Sequence, residues 1–333
     1  MENTLILYFE KGLLIISAYF VFTCRNISRD TQSTEKTSYP HLKTMGEPYQ
    51  LPYYVAESQL PIPLPEPEDI AKFGEVIQDQ TGRRVINFKN IYIIKFGANV
   101  SLTEGMNMLY MREACCEVPT PKVFAIYSRT HPAGHSMGYI VMEYIVGKRL
   151  DTIWPQLDAP EKTRISDHLR NYFNAMRQLP SPGFFGCVGR RPFEDSMFWT
   201  APESNVEDGL INGPFDTEEQ LNKAFIEKHI YNSGLRQKTQ YYRRVLPTVL
   251  QGHKPVFTHG DFQKKNVIIA ENGTPVLIDW ETAGWFPEYW EYALSIFACG
   301  AWEDDWHMFV AKILDEYPNE FAWFDMLTRE LWS

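Results

Sequence analysis

The stretch from residue 257 to residue 281 constrains the fold of this chain more than any other. An apolar run leads into a polar loop, and two short segments rich in β-branched residues follow at 267–269 and 276–278. Asn272-Gly273 lies between these two segments, and an Asn-Gly in that position is a strong signal for a β-hairpin. The sequence therefore predicts a hairpin that is preceded by a polar loop and ends on an acid.

Three polar residues of this stretch are brought close together by the predicted hairpin: Asp261, Asn266 and Asp279. One carboxylate in such a group can accept the proton of a hydroxyl, while the Asn and the other carboxylate can hold Mg²⁺ against the phosphates of a nucleotide. A surface hairpin with ordinary polar residues is the alternative. The spacing, the residue types and the hairpin context together favour a chemical site.

Two motifs in this stretch resemble those of a known family. His259-Gly260-Asp261-x-x-x-x-Asn266 matches the spacing of the kinase catalytic loop, H-R-D-x-x-x-x-N, with Gly in place of Arg. Ile278-Asp279-Trp280-Glu281 takes the place of the metal-binding D-F-G motif. Together they resemble the aminoglycoside phosphotransferase-like family of the protein-kinase-like superfamily, a family of small-molecule kinases. The resemblance covers residues 55–325.

The resemblance implies an α+β chain with the bilobal protein-kinase-like fold. We expect a small five-stranded antiparallel sheet with one helix in the N-terminal lobe, and a mostly helical C-terminal lobe. The expected regions are an apolar segment with a polar linker at 1–45, a nucleotide-binding lobe at 46–146, and a catalytic and acceptor lobe at 147–333. A first helix is predicted from Pro67 to about Gln78, because Pro and acids suit a first helical turn.

Lys95 is the candidate phosphate-binding lysine of the N-terminal lobe. It ends an apolar strand, and by itself such a lysine is best interpreted as a strand-end side chain reaching water. Given the downstream motifs, we expect it to hold the nucleotide phosphates, for which it needs an acidic partner. No G-x-G-x-x-G precedes Lys95, an absence that is usual in the family that the chain resembles.

Glu104 is the candidate partner of Lys95. It lies on the apolar face of a predicted helix, at the place of the family's helix glutamate. A competing role is the carboxylate of a capping box that begins at Ser101. Glu113 lies about half a turn around the helix axis from Glu104, and it is the second candidate for the partner of Lys95.

The resemblance also places the nucleotide base and the acceptor. Backbone groups around Glu143 to Ile145, at the hinge between the lobes, are expected to read the edge of the base. Acceptor recognition is expected in the irregular segment between Cys187 and Thr217, because loops beside a catalytic face often carry specificity. Glu288 or Glu291 could contact a cationic acceptor, although an acid in a first helical turn is the favoured interpretation of each.

The implied function is transfer of the γ-phosphoryl group of ATP or GTP to a hydroxyl of a small molecule, with Mg²⁺. Asp261 would act as catalytic base or orient the hydroxyl, and His259 would brace the loop. Asn266 and Asp279 would hold Mg²⁺. The alternative is a pseudokinase that binds nucleotide or serves as a scaffold. A protein kinase is disfavoured, because D-F-G is absent and no A-P-E activation segment follows Asp279.

Composition and charge limit the partners. The net charge of -10 and the pI near 5.4 argue against nucleic acid or an anionic membrane surface as the main partner. The five cysteines are odd in number and lack metal-ligand spacing, so a reducing, cytoplasmic location is expected.

The N-terminal apolar segment, residues 5–24, leaves the location open. Its uninterrupted part, 13–24, is shorter than the roughly 20 residues of a spanning helix, and extending it to residue 5 includes Glu10-Lys11. We favour a segment packed on the body or left as an extension. The alternatives are a membrane anchor and a signal peptide, although no convincing cleavage site follows.

Overall fold

The computed structural model describes residues 49–201, 204–232, 234–300 and 302–332. The predicted apolar segment and polar linker of residues 1–45 therefore lie entirely outside the described residues. In the part of the chain that is described, no helix combines the length and the apolar character that crossing a bilayer needs.

The first half of the described chain forms an antiparallel sheet. Its strands are β1 (Tyr53–Tyr54), β2 (Gly74–Gln80), β3 (Arg83–Phe88), β4 (Tyr92–Gly97), β5 (Val123–Thr130) and β6 (Ser136–Glu143). The order across the sheet is β1-β5-β6-β4-β3-β2, so the five predicted strands gain a sixth, two-residue edge strand. The register sets Lys95 opposite Val85 on β3 and Ile140 on β6, in the middle of the sheet.

Two helices, rather than one, accompany this sheet: α1 (Pro67–Phe73) and α2 (Thr103–Ala114). The prediction that α1 would continue to about Gln78 was wrong, because the chain enters β2 at Gly74 and pairs with β3. Gly74 permits this close pairing, since an added Cβ would lie 2.3 Å from the Ile86 side chain.

The second half is mostly helical, as predicted. Its helices are α3 (Leu150–Ile153), α4 (Ala159–Arg177), α5 (Glu218–Tyr231), α6 (Arg236–Val249), α7 (Trp290–Phe297), α8 (Trp306–Ile313) and α9 (Pro318–Leu331). Its short strands are β7 (Gly147–Arg149), β8 (Pro255–Thr258), β9 (Val267–Ala270), β10 (Pro275–Leu277) and β11 (Gly284–Pro287). The predicted α+β class is confirmed.

Helix α2 lies where the two halves meet. Its buried Met108 and Met111 share one hydrophobic cluster with Phe257, Trp280 and Trp285 from the second half. Because burial of apolar side chains is the main source of packing free energy, this cluster fixes α2 against the loops that follow β8 and β10. The polar residues of α2 are thereby brought to the candidate site.

Candidate active site

The predicted hairpin is present. Strands β9 and β10 pair antiparallel, with Val276 opposite Ile268 and Leu277 opposite Val267. Gly273 has a φ of 81°, in the left-handed region that glycine enters without strain, and Asn272 Oδ1 accepts the amide of Thr274 at 3.0 Å. The Asn272-Gly273 turn that the sequence predicts therefore connects the two strands of the hairpin.

Asp261 and Asn266 are in direct contact in the loop before β9. The Asn266 Nδ2 donates to Asp261 Oδ2 at 2.7 Å and to the Asp261 carbonyl at 2.8 Å. Gln263 donates to the other carboxylate oxygen, and Lys265 Nζ lies 3.4 Å from Oδ2. The Asp261 side chain is therefore held from several directions.

His259 connects this loop with the strand end that carries Asp279. Its Nδ1 accepts the amide of Asp261 at 3.3 Å, and its Nε2 donates to the Ile278 carbonyl at 3.0 Å. Both contacts suit a neutral ring protonated on Nε2. Burial lowers the pKa of His259, although the nearby carboxylates oppose the shift. These contacts brace two loops, which is the task that the sequence predicted for His259.

Gly260 occupies the place of the arginine in the kinase motif for a steric reason. Its φ is 82°, and an added Cβ would lie 2.6 Å from the Thr282 carbonyl. Any side chain here would force the loop away from the segment after Asp279. The glycine therefore allows the two loops to approach closely.

Glu291, near the start of α7, is a loop-holding residue whose role the sequence did not reveal. Its Oε2 accepts the amide of His259 at 2.6 Å, and Oε1 accepts the amide of Gly260 at 3.2 Å. The side chain is buried, and burial raises the pKa of Glu291 to about 7 despite these two hydrogen bonds. A buried carboxylate bound behind the loop does not contact an acceptor, so that possibility is wrong for Glu291.

Lys95 lies between two carboxylates. Its Nζ is 2.8 and 2.7 Å from the two oxygens of Glu104, and 2.7 Å from Asp279 Oδ1. Burial disfavours the charge of Lys95, but these two acids outweigh it and raise its pKa. The pKa of Asp279 is lowered, because Lys95 and Arg83 together outweigh its burial.

The capping-box role considered for Glu104 was wrong. Leu102 stands at the N-cap without a side-chain hydrogen bond, and the hydroxyl of Ser101 accepts the amide of Thr103. Both Glu104 oxygens are taken by Lys95, whereas Glu113 accepts the hydroxyl of Tyr49 at 2.8 Å. In this buried setting the charge pair is stronger than a cap.

A third acid and a second cation complete this group, which we name the charge cluster: Arg83, Lys95, Glu104, Asp279 and Glu281. Carboxylate oxygens of its three acids lie within 4.8 Å of one another. Burial and the two neighbouring acids raise the pKa of Glu104 although Lys95 lowers it. An excess of carboxylates over cations suits a divalent cation, and oxygen atoms are the ligands that Mg²⁺ prefers.

Asn107 ties α2 to the loop that follows Asp279. Its Nδ2 donates to the Trp280 carbonyl at 2.8 Å and to the Ala283 carbonyl at 3.1 Å. The side chain is completely buried. The sequence offered no signal for this contact, because its partners are backbone groups 173 and 176 residues away.

Comparison with known proteins identifies the family of the chain. The sequence model of the Phosphotransferase enzyme family matches residues 103–326, more than half of the chain. The chain belongs to this family. The recognition that rested on the HGD and IDWE motifs is confirmed. No curated protein sequence matches the chain.

Solved structures agree on the fold of this phosphotransferase family member. A thermostable mutant of aminoglycoside phosphotransferase APH(4)-Ia, in its apo form, gives a TM-score of 0.53 at 14% identity, covering 78% of this chain and 87% of that chain. Another structure of aminoglycoside phosphotransferase APH(4)-Ia gives 0.51 at 15% identity, with 79% and 85% covered. At this identity the likeness shows the fold, and the predicted bilobal protein-kinase-like fold is confirmed.

Of the three backbone amides from Glu143 to Ile145 at the predicted hinge, two donate to backbone carbonyls of the described residues. The amide of Glu143 donates to the Lys122 carbonyl at 2.8 Å, and that of Tyr144 donates to the Ile91 carbonyl at 3.0 Å. Within the described residues, the amide of Ile145 has no such partner. The predicted contact with the edge of the base would therefore use Ile145 rather than the amide of Glu143.

The segment predicted to recognise the acceptor is fastened to α2. The hydroxyl of Thr103 donates to Glu194 and accepts from Arg191 Nη1 at 2.8 Å. Asp195 is buried beside the site. Its own burial, with a smaller contribution from Asp261, raises the pKa of Asp195 to about 6. The acceptor role of this segment stays a prediction.

Proposed function

We propose that this protein transfers the γ-phosphoryl group of ATP or GTP to a hydroxyl of a small molecule in the presence of Mg²⁺. The observation that carries the proposal is the single ring of His259, which joins the loop of Asp261 and Asn266 to the strand end before Asp279. A phosphoryl-transfer site needs a hydroxyl-orienting carboxylate, a metal site and a phosphate-binding cation within one small volume. His259 and the Lys95–Asp279 contact link these three groups.

Asp279 and Asn266 would hold the metal. The carboxylate of Asp279 and Oδ1 of Asn266 are hard oxygen donors, and the excess of carboxylates in the charge cluster favours a divalent cation. When bound with the nucleotide, Mg²⁺ would neutralise the charge of the phosphates during transfer. This metal assignment is supported by the chemistry of the donors.

Lys95 would bind the α- and β-phosphates. Its raised pKa keeps it charged, and Glu104 holds it in place through both carboxylate oxygens. Since Lys95 is buried in the middle of the sheet, its ammonium group is positioned before a nucleotide arrives. A positioned charge in a site that excludes water stabilises phosphate more strongly than one in solvent.

Asp261 would orient the acceptor hydroxyl and accept its proton. The hydrogen bonds from Asn266 and Gln263 fix the carboxylate, and the buried Glu291 fixes the backbone of the loop behind it. The neutral ring of His259 supports the loop, and its Nδ1 is occupied by the amide of Asp261. The acceptor would enter beside the segment from Cys187 to Thr217.

Calorimetric titration with ATP and GTP, with and without Mg²⁺, tests this function. Wild type should bind one of the nucleotides in a Mg²⁺-dependent manner, Asp279→Ala should lose that dependence, and Asp261→Asn should keep it. Asp315→Ala, which removes an exposed partner of Arg170, is the control and should behave as wild type. If wild type binds no nucleotide with Mg²⁺, the kinase function fails and a scaffold becomes the better account.

A further inference from the structure

Arg83 is the cation of the charge cluster to which the proposed function assigns no task. Its Nη1 lies 2.9 Å from Glu281 Oε2, and its Nη2 lies 3.5 Å from Asp279 Oδ1. The side chain is 19% exposed, so it lies at the cluster and not in bulk solvent. Burial opposes the charge of Arg83, but Glu281 and then Asp279 raise its pKa.

The turn between β2 and β3 fixes the position of Arg83. Gly82 adopts a φ of 75°, and an added Cβ would lie 2.6 Å from the Asn99 side chain. Asn99 holds the turn in place. Its backbone amide donates to the Gly82 carbonyl at 2.8 Å, and its side-chain Nδ2 donates to the Thr81 carbonyl at 3.1 Å. Arg83 therefore extends from a turn that is tied to the segment after β4.

Strand register places Arg83 and Lys95 on one face of the sheet. Val85 is opposite Lys95, and Arg83 lies two residues before Val85, so the side chains of all three share a face. Arg84 lies on the other face, where it pairs with Asp79 at the surface. Two cations thus converge on the acids of the cluster from neighbouring strands.

Arg83 contacts carboxylate oxygens that a metal cation would also bind. Asp279 and Glu281 both belong to the acidic group that could hold a metal. A metal on these carboxylates would compete with the guanidinium and leave it available to another anion. Guanidinium binds carboxylate and phosphate alike through two parallel hydrogen bonds, and a nucleotide brings phosphate together with its metal.

We propose that Arg83 is a second phosphate-binding residue, which binds the terminal phosphates of the nucleotide beside Lys95 and is held in place by Glu281 before the nucleotide arrives. This inference rests on the proposed function. It assigns a phosphate contact to the first residue of β3, directly after the turn that follows β2, in a chain that has no G-x-G-x-x-G before Lys95. A merely structural role, in which the Arg83–Glu281 pair joins the two halves of the fold, would not depend on phosphate.

The test compares nucleotides that differ in phosphate. Affinities for adenosine, ADP and a non-hydrolysable ATP analogue, or the guanosine series if wild type prefers it, are measured with Mg²⁺ in wild type, Arg83→Met and Arg83→Lys. Arg84→Met is the matched control on the adjacent residue. Arg83→Met should weaken binding of the triphosphate analogue by about 10-fold or more, from the strength of a charge-assisted hydrogen bond, while nucleoside affinity stays unchanged.

Arg83→Lys should weaken the analogue less than Arg83→Met does, because it keeps a charge but loses the planar fork. Arg84→Met should match wild type. Melting temperatures without nucleotide show whether each variant is folded. The inference is overturned if Arg83→Met changes nucleoside and triphosphate affinity by the same factor. If wild type binds neither the nucleosides nor the analogues, both the proposed function and the inference fail. A wild type that binds the analogues, with an Arg83→Met variant that does not discriminate by phosphate, overturns the inference alone.

Discussion

Around Asp261, the contacts that hold the site are mostly hydrogen bonds that involve backbone groups, whereas around Asp279 they are mostly ion pairs between side chains. Glu291 and His259 accept amides of the catalytic loop, and His259 also donates to the Ile278 carbonyl. Lys95 and Arg83 bind the carboxylates of the charge cluster. The loop contacts can persist when a substrate binds, but the ion pairs use atoms that a metal or phosphate would also use. One region is therefore a fixed support, and the other is exchangeable.

Replacing Glu104 by Leu breaks the charge cluster at its most buried ion pair. Lys95 would keep only Asp279 as a direct partner, so the free energy of unfolding should fall by about 3–5 kcal/mol, the usual cost of breaking a buried pair. Denaturant unfolding measures the change. Arg112→Leu on the same helix is the control, since Arg112 is exposed, and it should cost less than about 1 kcal/mol. Equal losses would show that the pair at Lys95 does not stabilise the fold.

Replacing Asn107 by Leu breaks the link between α2 and the loop after Asp279. Two buried carbonyls would lose their donor, which should lower the free energy of unfolding by about 2–4 kcal/mol. Mg²⁺-dependent nucleotide binding should weaken as well, because the loop positions Asp279. Arg112→Ala, an exposed residue of the same helix, should change either measurement little. Unchanged metal dependence in a destabilised Asn107→Leu would limit Asn107 to a role in stability.

Replacing Glu291 by Gln tests the support of the catalytic loop through pH. The pKa of Glu291 is raised by burial from 4.5 to about 7, so between these values the folded protein retains a proton that the unfolded chain loses. Stability should therefore fall as the pH rises through that window, by at most about 1.4 kcal/mol per pH unit from this group.

In Glu291→Gln this contribution is absent, so the stability of the variant should decline less steeply than that of wild type between pH 4.5 and about 7. Denaturant unfolding at a series of pH values gives both slopes. Identical slopes would mean that Glu291 does not carry the raised pKa. Glu104, whose pKa is also raised, remains in both proteins and contributes equally to each.

The same contrast explains what the sequence predicted. The hairpin is a local structure, because Asn272-Gly273 and the flanking β-branched residues specify it within a few residues. The predicted group of Lys95, Glu104 and Asp279 came from spacing together with a family resemblance. The structure places these three residues in one charge cluster, while their catalytic roles remain predictions.

The residues that the sequence did not reveal make contacts across long sequence separations, mostly with backbone atoms. Asn107 and Glu291 bind backbone groups that are 173 and 32 residues away, and nothing in the local pattern marks them. Nothing in the local pattern marks Arg83 either, because its partner Glu281 is 198 positions later. The early end of α1 had a similar cause, since pairing with β3 overrode the local helix signal.

In the proposed reaction, Asp261 and Asp279 would serve one phosphoryl transfer in different ways. The most direct test is Mg²⁺-dependent release of the γ-phosphate from saturating ATP or GTP by wild type and Asp261→Asn, with nucleotide affinity measured on the same samples. We predict slow release by wild type, and release at least about 100-fold slower by Asp261→Asn at unchanged affinity, the usual contribution of a general base. Equal rates for the two proteins, or no release by a wild type that binds nucleotide, would contradict the account.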